Sequence, residues 1–158
     1  MVEILDSNLK HFAKLVYDEF NIDIDNISGA GAAGGLGSTL VGFCNAKLNK
    51  GIDIVIKYSK LEEKLQGADY VFTGEGSIDS QTKFGKTIAG IAKLAKKYDI
   101  PVIALAGKVG DGIEELYDLG ITSIFGILPG VIDLEEALKN GAKNIERTSE
   151  NIVRLLKN

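Results

Sequence analysis

The densest cluster of chemically useful side chains in this 158-residue sequence runs from Thr73 to Thr87, reading Thr73-Gly74-Glu75-Gly76-Ser77-Ile78-Asp79-Ser80-Gln81-Thr82-Lys83-Phe84-Gly85-Lys86-Thr87. Gly74 and Gly76 remove side chains and permit positive φ, so backbone N–H groups can approach an anion. Glu75 and Asp79 place two carboxylates on one short segment, a pair suited to holding Mg²⁺ or to accepting a hydroxyl proton. Lys86, near the start of an expected helix, suits a phosphate or a substrate carboxylate. The segment is expected to be a loop that begins where one strand ends and finishes where a helix begins. Open parallel sheets bind ligands beyond the carboxyl ends of their strands, so the location itself points to binding. A structural loop with capping acids is the alternative.

Gly85-Lys86-Thr87 nearly completes a Walker A loop, but the earlier required glycine is Ser80, and the expected strand ends about a dozen residues before Gly85, so this is not a P-loop. A second glycine-rich stretch, Gly29 to Gly37, contains G-x-G-x-x-G at Gly29, Gly31 and Gly34. It is not a dinucleotide fingerprint. The preceding Ile22-Asp23-Ile24-Asp25-Asn26-Ile27 is too acidic for a buried parallel strand, and Asp53 starts the next expected strand instead of ending it. Gly29, Gly31, Gly34 and Gly35 either line a phosphate or carboxylate site or let a helix pack closely.

Ala106-Gly107-Lys108-Val109-Gly110-Asp111-Gly112 follows another expected strand and opens another helix, which puts it on the same sheet edge as Thr73 to Thr87. Lys108 can face a site there, or the segment is a turn with Asp111 as N-cap. His11 reads as an ordinary helix residue without a partner, and Cys44 as a packed small side chain. The lysine-rich stretches 57–64 and 93–97 read as solvated helix faces.

The elements that would hold these residues follow from periodicity. Leu5, Leu9, Phe12, Val16 and Phe20 share one face of an opening helix. Thr39 to Phe43 continues the glycine-rich stretch into a helix. Ile52-Asp53-Ile54-Val55-Ile56 predicts a strand, and Ser59 with Glu62 a capping box on a short helix to Leu65. Tyr70 to Phe72, Val102 to Ala106 and Ser123 to Leu128 are apolar runs separated by helical stretches, a βαβαβ pattern that predicts a parallel sheet covered by helices. Pro101 suits a strand start. Asp111 with Glu114 and Asp133 with Glu136 mark two further helix starts, and the last helix carries Leu134, Leu138, Ala142, Ile145, Ile152 and Leu155 inward.

Composition limits what such a fold does. With 45% hydrophobic residues the chain can bury a core of its own. The formal charge of −4 arises from interleaved acids and lysines, with no basic stripe to follow nucleic acid. One cysteine and one histidine leave no disulfide framework, no zinc cluster and little room for a triad. The apolar runs are too short to cross a bilayer, so a soluble, cytoplasmic protein without membrane or nucleic-acid partners is expected.

The stretch from Gly29 to Gly37, then Thr73-Gly-Glu-Gly-x-x-Asp-x-Gln-Thr82 with Gly85 and Lys86, then Ala104 to Gly107, resembles the bacterial glycerate kinase family in order and spacing. Leu5 to Ala13 and Glu146 to Ile152 extend the resemblance over almost the whole chain. It implies ATP-dependent phosphorylation of D-glycerate, with Mg²⁺, between two α/β lobes. The implied fold is a three-layer α/β/α lobe with a parallel Rossmann-like sheet at residues 59–158, with residues 1–58 forming part of the glycine-rich second lobe. The resemblance makes Asp79, Gln81 and Lys86 the catalytic candidates and Glu75 and Asp79 the metal ligands. Gly74, Gly76, Thr82 and Lys108 would contact substrate or phosphate, and Gly29, Gly31, Gly34 and Gly35 would shape the opposing wall. Family members are more than twice this long and begin with a strand and loop reading Ile-Ala-Pro-Asp-Ser-Phe-Lys-Gly. The expectation is therefore a carboxy-terminal portion that needs an amino-terminal complement or self-associates.

Overall fold

The apolar run after Pro101 becomes the middle strand of a parallel sheet. The computed structural model describes residues 1–83 and 87–157. Among these residues three strands, β1 (Val71–Ile78), β2 (Val102–Val109) and β3 (Ile121–Gly126), pair in that order, all parallel. A central parallel strand is covered on both faces and so reads as a continuous apolar run. Successive β2 side chains point to opposite faces. Ala104 and Ala106 pack with Ile88 and Ala92 of α5 (Thr87–Lys96) and Leu116 of α6 (Glu114–Asp118). Ile103 and Leu105 pack on the other face with Ile127 and Ile152 of α8 (Gly141–Leu156). Helices therefore cover both faces, the expected α/β/α layering. Ile88 and Leu116 are fully buried, and each such side chain contributes roughly 1.5–3 kcal/mol relative to exposure.

Local chemistry fixes the joints. The β2–β3 register slips at Thr122, whose hydroxyl accepts the Val102 N–H at 3.0 Å, so the Val102 donor stays paired at the bulge. Asp133 caps α7 (Leu134–Lys139) by accepting the Glu136 N–H at 2.8 Å, as its spacing predicts.

Five expectations are corrected. Residues 52–56 are not a strand but lie in helix α3 (Gly51–Ser59), because Ile52 and Ile56, four apart, pack while Ile54 and Val55 stay exposed. Ser59 is no capping residue, since its hydroxyl donates to the Ile56 carbonyl and Lys60, in the left-handed region, precedes α4 (Leu61–Leu65). Strand β1 continues through Ile78, so Thr73 to Ser77 lie in the sheet and not in a loop. Asp111 does not cap α6, which opens after Ile113 without a side-chain cap. The last helix breaks at Asn140 into α7 and α8, and Leu134, Leu138, Ile145 and Leu155 are exposed instead of packed inward.

The chain divides into two compact units, Met1–Lys50 and Gly51–Asn158. The division precedes the boundary expected between residues 58 and 59, because α3 packs on α4 and α5 of the second unit. In the first unit α1 (Val2–Phe20) ends at Asn21 in the left-handed region, and Ala13 and Val16 pack with Ile24. Phe20 meets Phe43 of α2 (Ala32–Cys44) edge to face at 5.4 Å. Among the described residues no helix is long and apolar enough to cross a membrane.

Candidate active site

The carboxyl ends of β1 and β2 carry Gly74, Glu75, Gly76 and Lys108 of the residues singled out by sequence. Gly74 stands in register with Leu105, Glu75 with Ala106, and Ser77 with Lys108. A side chain at Gly74 would stand 3.0 Å from the Leu105 carbonyl oxygen, and one at Gly107 would stand 2.7 Å from that of Gly76. Gly74 and Gly107 therefore let neighbouring backbone pack closely at the strand ends, and Gly76 faces open space. Gly74, Glu75, Gly76, Gly107 and Lys108 line a common groove of about 1230 Å³ whose far wall comes from α7 and α8.

Glu75 is half-buried, and its Oε2 is closed off from water with no hydrogen-bond partner among the described residues. A carboxylate oxygen in that position is costly unless something donates to it or coordinates it. Lys108 is exposed on the neighbouring strand.

Asp79, Gln81 and Thr82 form the turn just beyond β1 (a 3-10 turn at Ser80–Lys83) and do not line this groove. Asp79 Oδ1 accepts the Gln81 N–H at 2.9 Å, while the Asp79 N–H donates to Thr82 Oγ1 at 3.2 Å and the Thr82 N–H to the Asp79 carbonyl at 3.0 Å. Thr82 is completely buried, so its hydroxyl serves the turn; Gln81 is exposed. The loop after β2 presses on this turn. Gly110 N–H donates to the Ile78 carbonyl at 2.8 Å, and a side chain at Gly110 or Gly112 would crowd Asp79 or Ser80. Sequence reasoning weighed Lys108 in that loop and missed these two packing glycines, although the triplet of glycines from 107 to 112 was a readable signal. Lys86 lies outside the described residues.

Among the described residues no three acidic, histidine or cysteine side chains gather into a metal cluster. A divalent ion here would have one or two protein carboxylates, a number compatible with Mg²⁺ shared with substrate phosphates. The unpartnered Glu75 Oε2 fits such a donor.

In the first unit, Ala33, Gly34 and Gly35 are consecutive left-handed residues inside α2, and the turn closes through Gly35 N–H to the Gly31 carbonyl at 3.2 Å. Gly31 itself has an ordinary φ of −72°. Gly37 stands where a side chain would come within 2.9 Å of the Ala30 carbonyl oxygen, so the first helical turn lies directly on the loop before it. This geometry includes the close-packing role that sequence left open for these glycines.

Comparison with known proteins gives these positions a context. A model of the Glycerate kinase family matches residues 1–157. The glycerate kinase of Bacillus subtilis (strain 168) is 44% identical over 157 residues, covering 99% of this chain and 41% of the relative. The glycerate 2-kinase of Escherichia coli (strain K12) is 41% identical over 156 residues, again covering 99% and 41%. A crystal structure of a Salmonella typhimurium LT2 protein assigned to the glycerate kinases superposes with a TM-score of 0.76 at 39% identity, covering 99% of this chain and 39% of that one. The chain thus spans about 40% of the length of the relatives it matches.

Proposed function

Because the chain belongs to the glycerate kinase family, we propose that it is the carboxy-terminal portion of a cytoplasmic enzyme that transfers a phosphoryl group from ATP to a hydroxyl of D-glycerate. Phosphoryl transfer asks a protein for positioning and charge neutralisation more than for covalent chemistry. The carboxyl edge of β1 and β2 is suited to both. Backbone at Gly76 faces open space where an anion could approach, and Lys108 supplies a cation in the same groove. In the left-handed turn, Gly34 is exposed and offers backbone for a phosphate or carboxylate, while Gly35 is buried in packing.

Glu75, with Asp79, would hold Mg²⁺, which when bound draws charge from the transferring phosphoryl group. Asp79 is also the candidate to orient or deprotonate the attacking hydroxyl, with Gln81 and Lys86 as further contacts. The observation that carries this reading is the Glu75 carboxylate oxygen, shut away from water with no donor among the described residues near the carboxyl end of β1.

The test combines this chain with the amino-terminal part of a full-length relative, ATP, Mg²⁺ and D-glycerate, and follows phosphoglycerate. Formation of product that needs both polypeptides is the expected result. No product under any condition removes the kinase reading.

A further inference from the structure

The two lysine-rich stretches, which sequence presents as separate solvated helix faces, meet in the second unit. Lys57 and Lys60, at and just beyond the end of α3, and Lys93 and Lys97, at and just beyond the end of α5, border one cleft of about 620 Å³. That volume lies within the roughly 300–1,000 Å³ typical of small-molecule pockets. Ile56 and Leu94 give the cleft an apolar lining, and both pack with Val71 and Val102, the first residues of β1 and β2. It therefore lies toward the amino ends of the strands and shares no lining residue with the groove at their carboxyl ends.

Charges in the cleft are unevenly matched. Three acids also line it, Asp53, Glu62 and Glu63, so its four lysines leave one positive charge in excess. The pairing sharpens that excess. Glu63 sits 3.7 Å from the Lys60 ammonium, and Glu62 Oε1 accepts the Tyr98 hydroxyl at 2.8 Å. Lys57, Lys93 and Lys97 are exposed and form no ion pair among the described residues. Lys93 and Lys97 stand four residues apart, a spacing at which like charges repel. Three unmatched ammonium groups then border one cleft with Asp53 as the acid that nothing among the described residues engages, in a chain whose formal charge is −4. A cleft focuses the field of the charges that line it, so together they attract an anion more strongly than each would alone.

We infer that this cleft binds a small polyvalent anion, rich in phosphate or carboxylate oxygens, at a site separate from the one proposed for phosphoryl transfer. The ligand bridges Lys57 of α3 to Lys93 and Lys97 at the end of α5. The number of unmatched lysines sets its valence. A monovalent anion would satisfy one ammonium and leave the other two facing each other across the cleft. Lysine is suited to such a ligand, because a flexible ammonium carries three rotatable donors and does not demand the planar, two-oxygen match that arginine does. The site stands independently of the kinase reading, since none of its residues has a part in that chemistry.

The experiment titrates sodium tripolyphosphate and citrate, separately, into this chain at low salt and reads binding by calorimetry. At least one of the two should bind at a single site with a Kd of about 1 mM or tighter, and the tighter of them names the phosphate or the carboxylate class. Lys93→Gln with Lys97→Gln should weaken that binding about tenfold, and Asp53→Asn, which removes the opposing charge, should strengthen it about threefold. Lys139→Gln with Lys143→Gln, outside the cleft, should leave it within about twofold. These side chains are all exposed, so circular dichroism should show the same fold throughout. No binding of either anion up to about 10 mM overturns the proposal and leaves the lysines to offset the carboxyl-end dipoles of α3 and α5. Equal weakening by the two lysine pairs also overturns it, since the anion would then be drawn to charge anywhere on the surface. Binding that Lys108→Gln abolishes and Lys93→Gln with Lys97→Gln leaves intact belongs to the strand ends and overturns it as well.

Discussion

At the scale of single residues, Asp79 has two separable duties. Its Oδ1 closes the turn by accepting the Gln81 N–H, and its charge is what a metal or a hydroxyl proton would use. Asp79→Asn keeps an acceptor oxygen and removes the charge, so the completed enzyme should lose at least about tenfold in turnover while its melting temperature changes little. Asp79→Ala should cost turnover and stability together. Wild-type turnover in Asp79→Asn takes Asp79 out of the chemistry. Thr82 carries the complementary prediction. Its buried hydroxyl accepts the Asp79 N–H, so Thr82→Val should destabilise by about 1–3 kcal/mol in a denaturant titration, and Thr82→Ser should restore most of it. Sequence brought both residues to attention as site candidates, because the types and spacing in Gly-Glu-Gly-x-x-Asp are chemical. It did not reveal that Thr82 serves the turn, because burial is set by tertiary packing, and the loop that presses on this turn at Asp79 and Ser80 comes from another part of the chain.

At the scale of elements, parallel pairing was legible and helix α3 was not. The runs at β1, β2 and β3 are flanked by helices at regular intervals, and that alternation has few folded solutions. Residues 52–56 satisfy two periods at once, because a window in which four of five residues are β-branched reads like a strand while Ile52 and Ile56 also share a helix face. The neighbour decides. Ile52 seats against Gly90 of α5, where a side chain would collide with it, and Ile56 joins Leu65 and Leu94. Helix and strand make opposite forecasts for Val55, an exposed position in the middle of α3. Val55→Pro should cost about 3 kcal/mol by removing a helical N–H and clashing with the preceding turn, whereas Val55→Ala should be close to neutral. A proline tolerated there in thermal denaturation would return the segment to an extended form. The last helix failed for a related reason. Leu134, Leu138 and Ile145 have the rhythm of a core face, and periodicity cannot say whether the surface they face belongs to this stretch of chain.

At the scale of the whole molecule, the family resemblance carried what periodicity could not, namely that one chain holds two separately organised parts. The glycine-rich helix pair and the sheet unit meet in sequence at residues 46–50, which belong to no helix or strand. Lys47 and Lys50 are exposed in that stretch. Proteases need an extended, solvent-accessible segment, and most other lysines of the described chain sit on helices that must open before they are cut. Brief digestion with trypsin should therefore cleave first after Lys47 or Lys50 and release a fragment beginning at Leu48 or Gly51, read by mass spectrometry. That fragment keeps all three strands and the helices on both of their faces, so its circular dichroism should retain the α/β signature and its unfolding should stay cooperative. First cleavage after Lys57, inside α3, would instead place most of α3 with the glycine-rich part and move the division close to where sequence alone had set it.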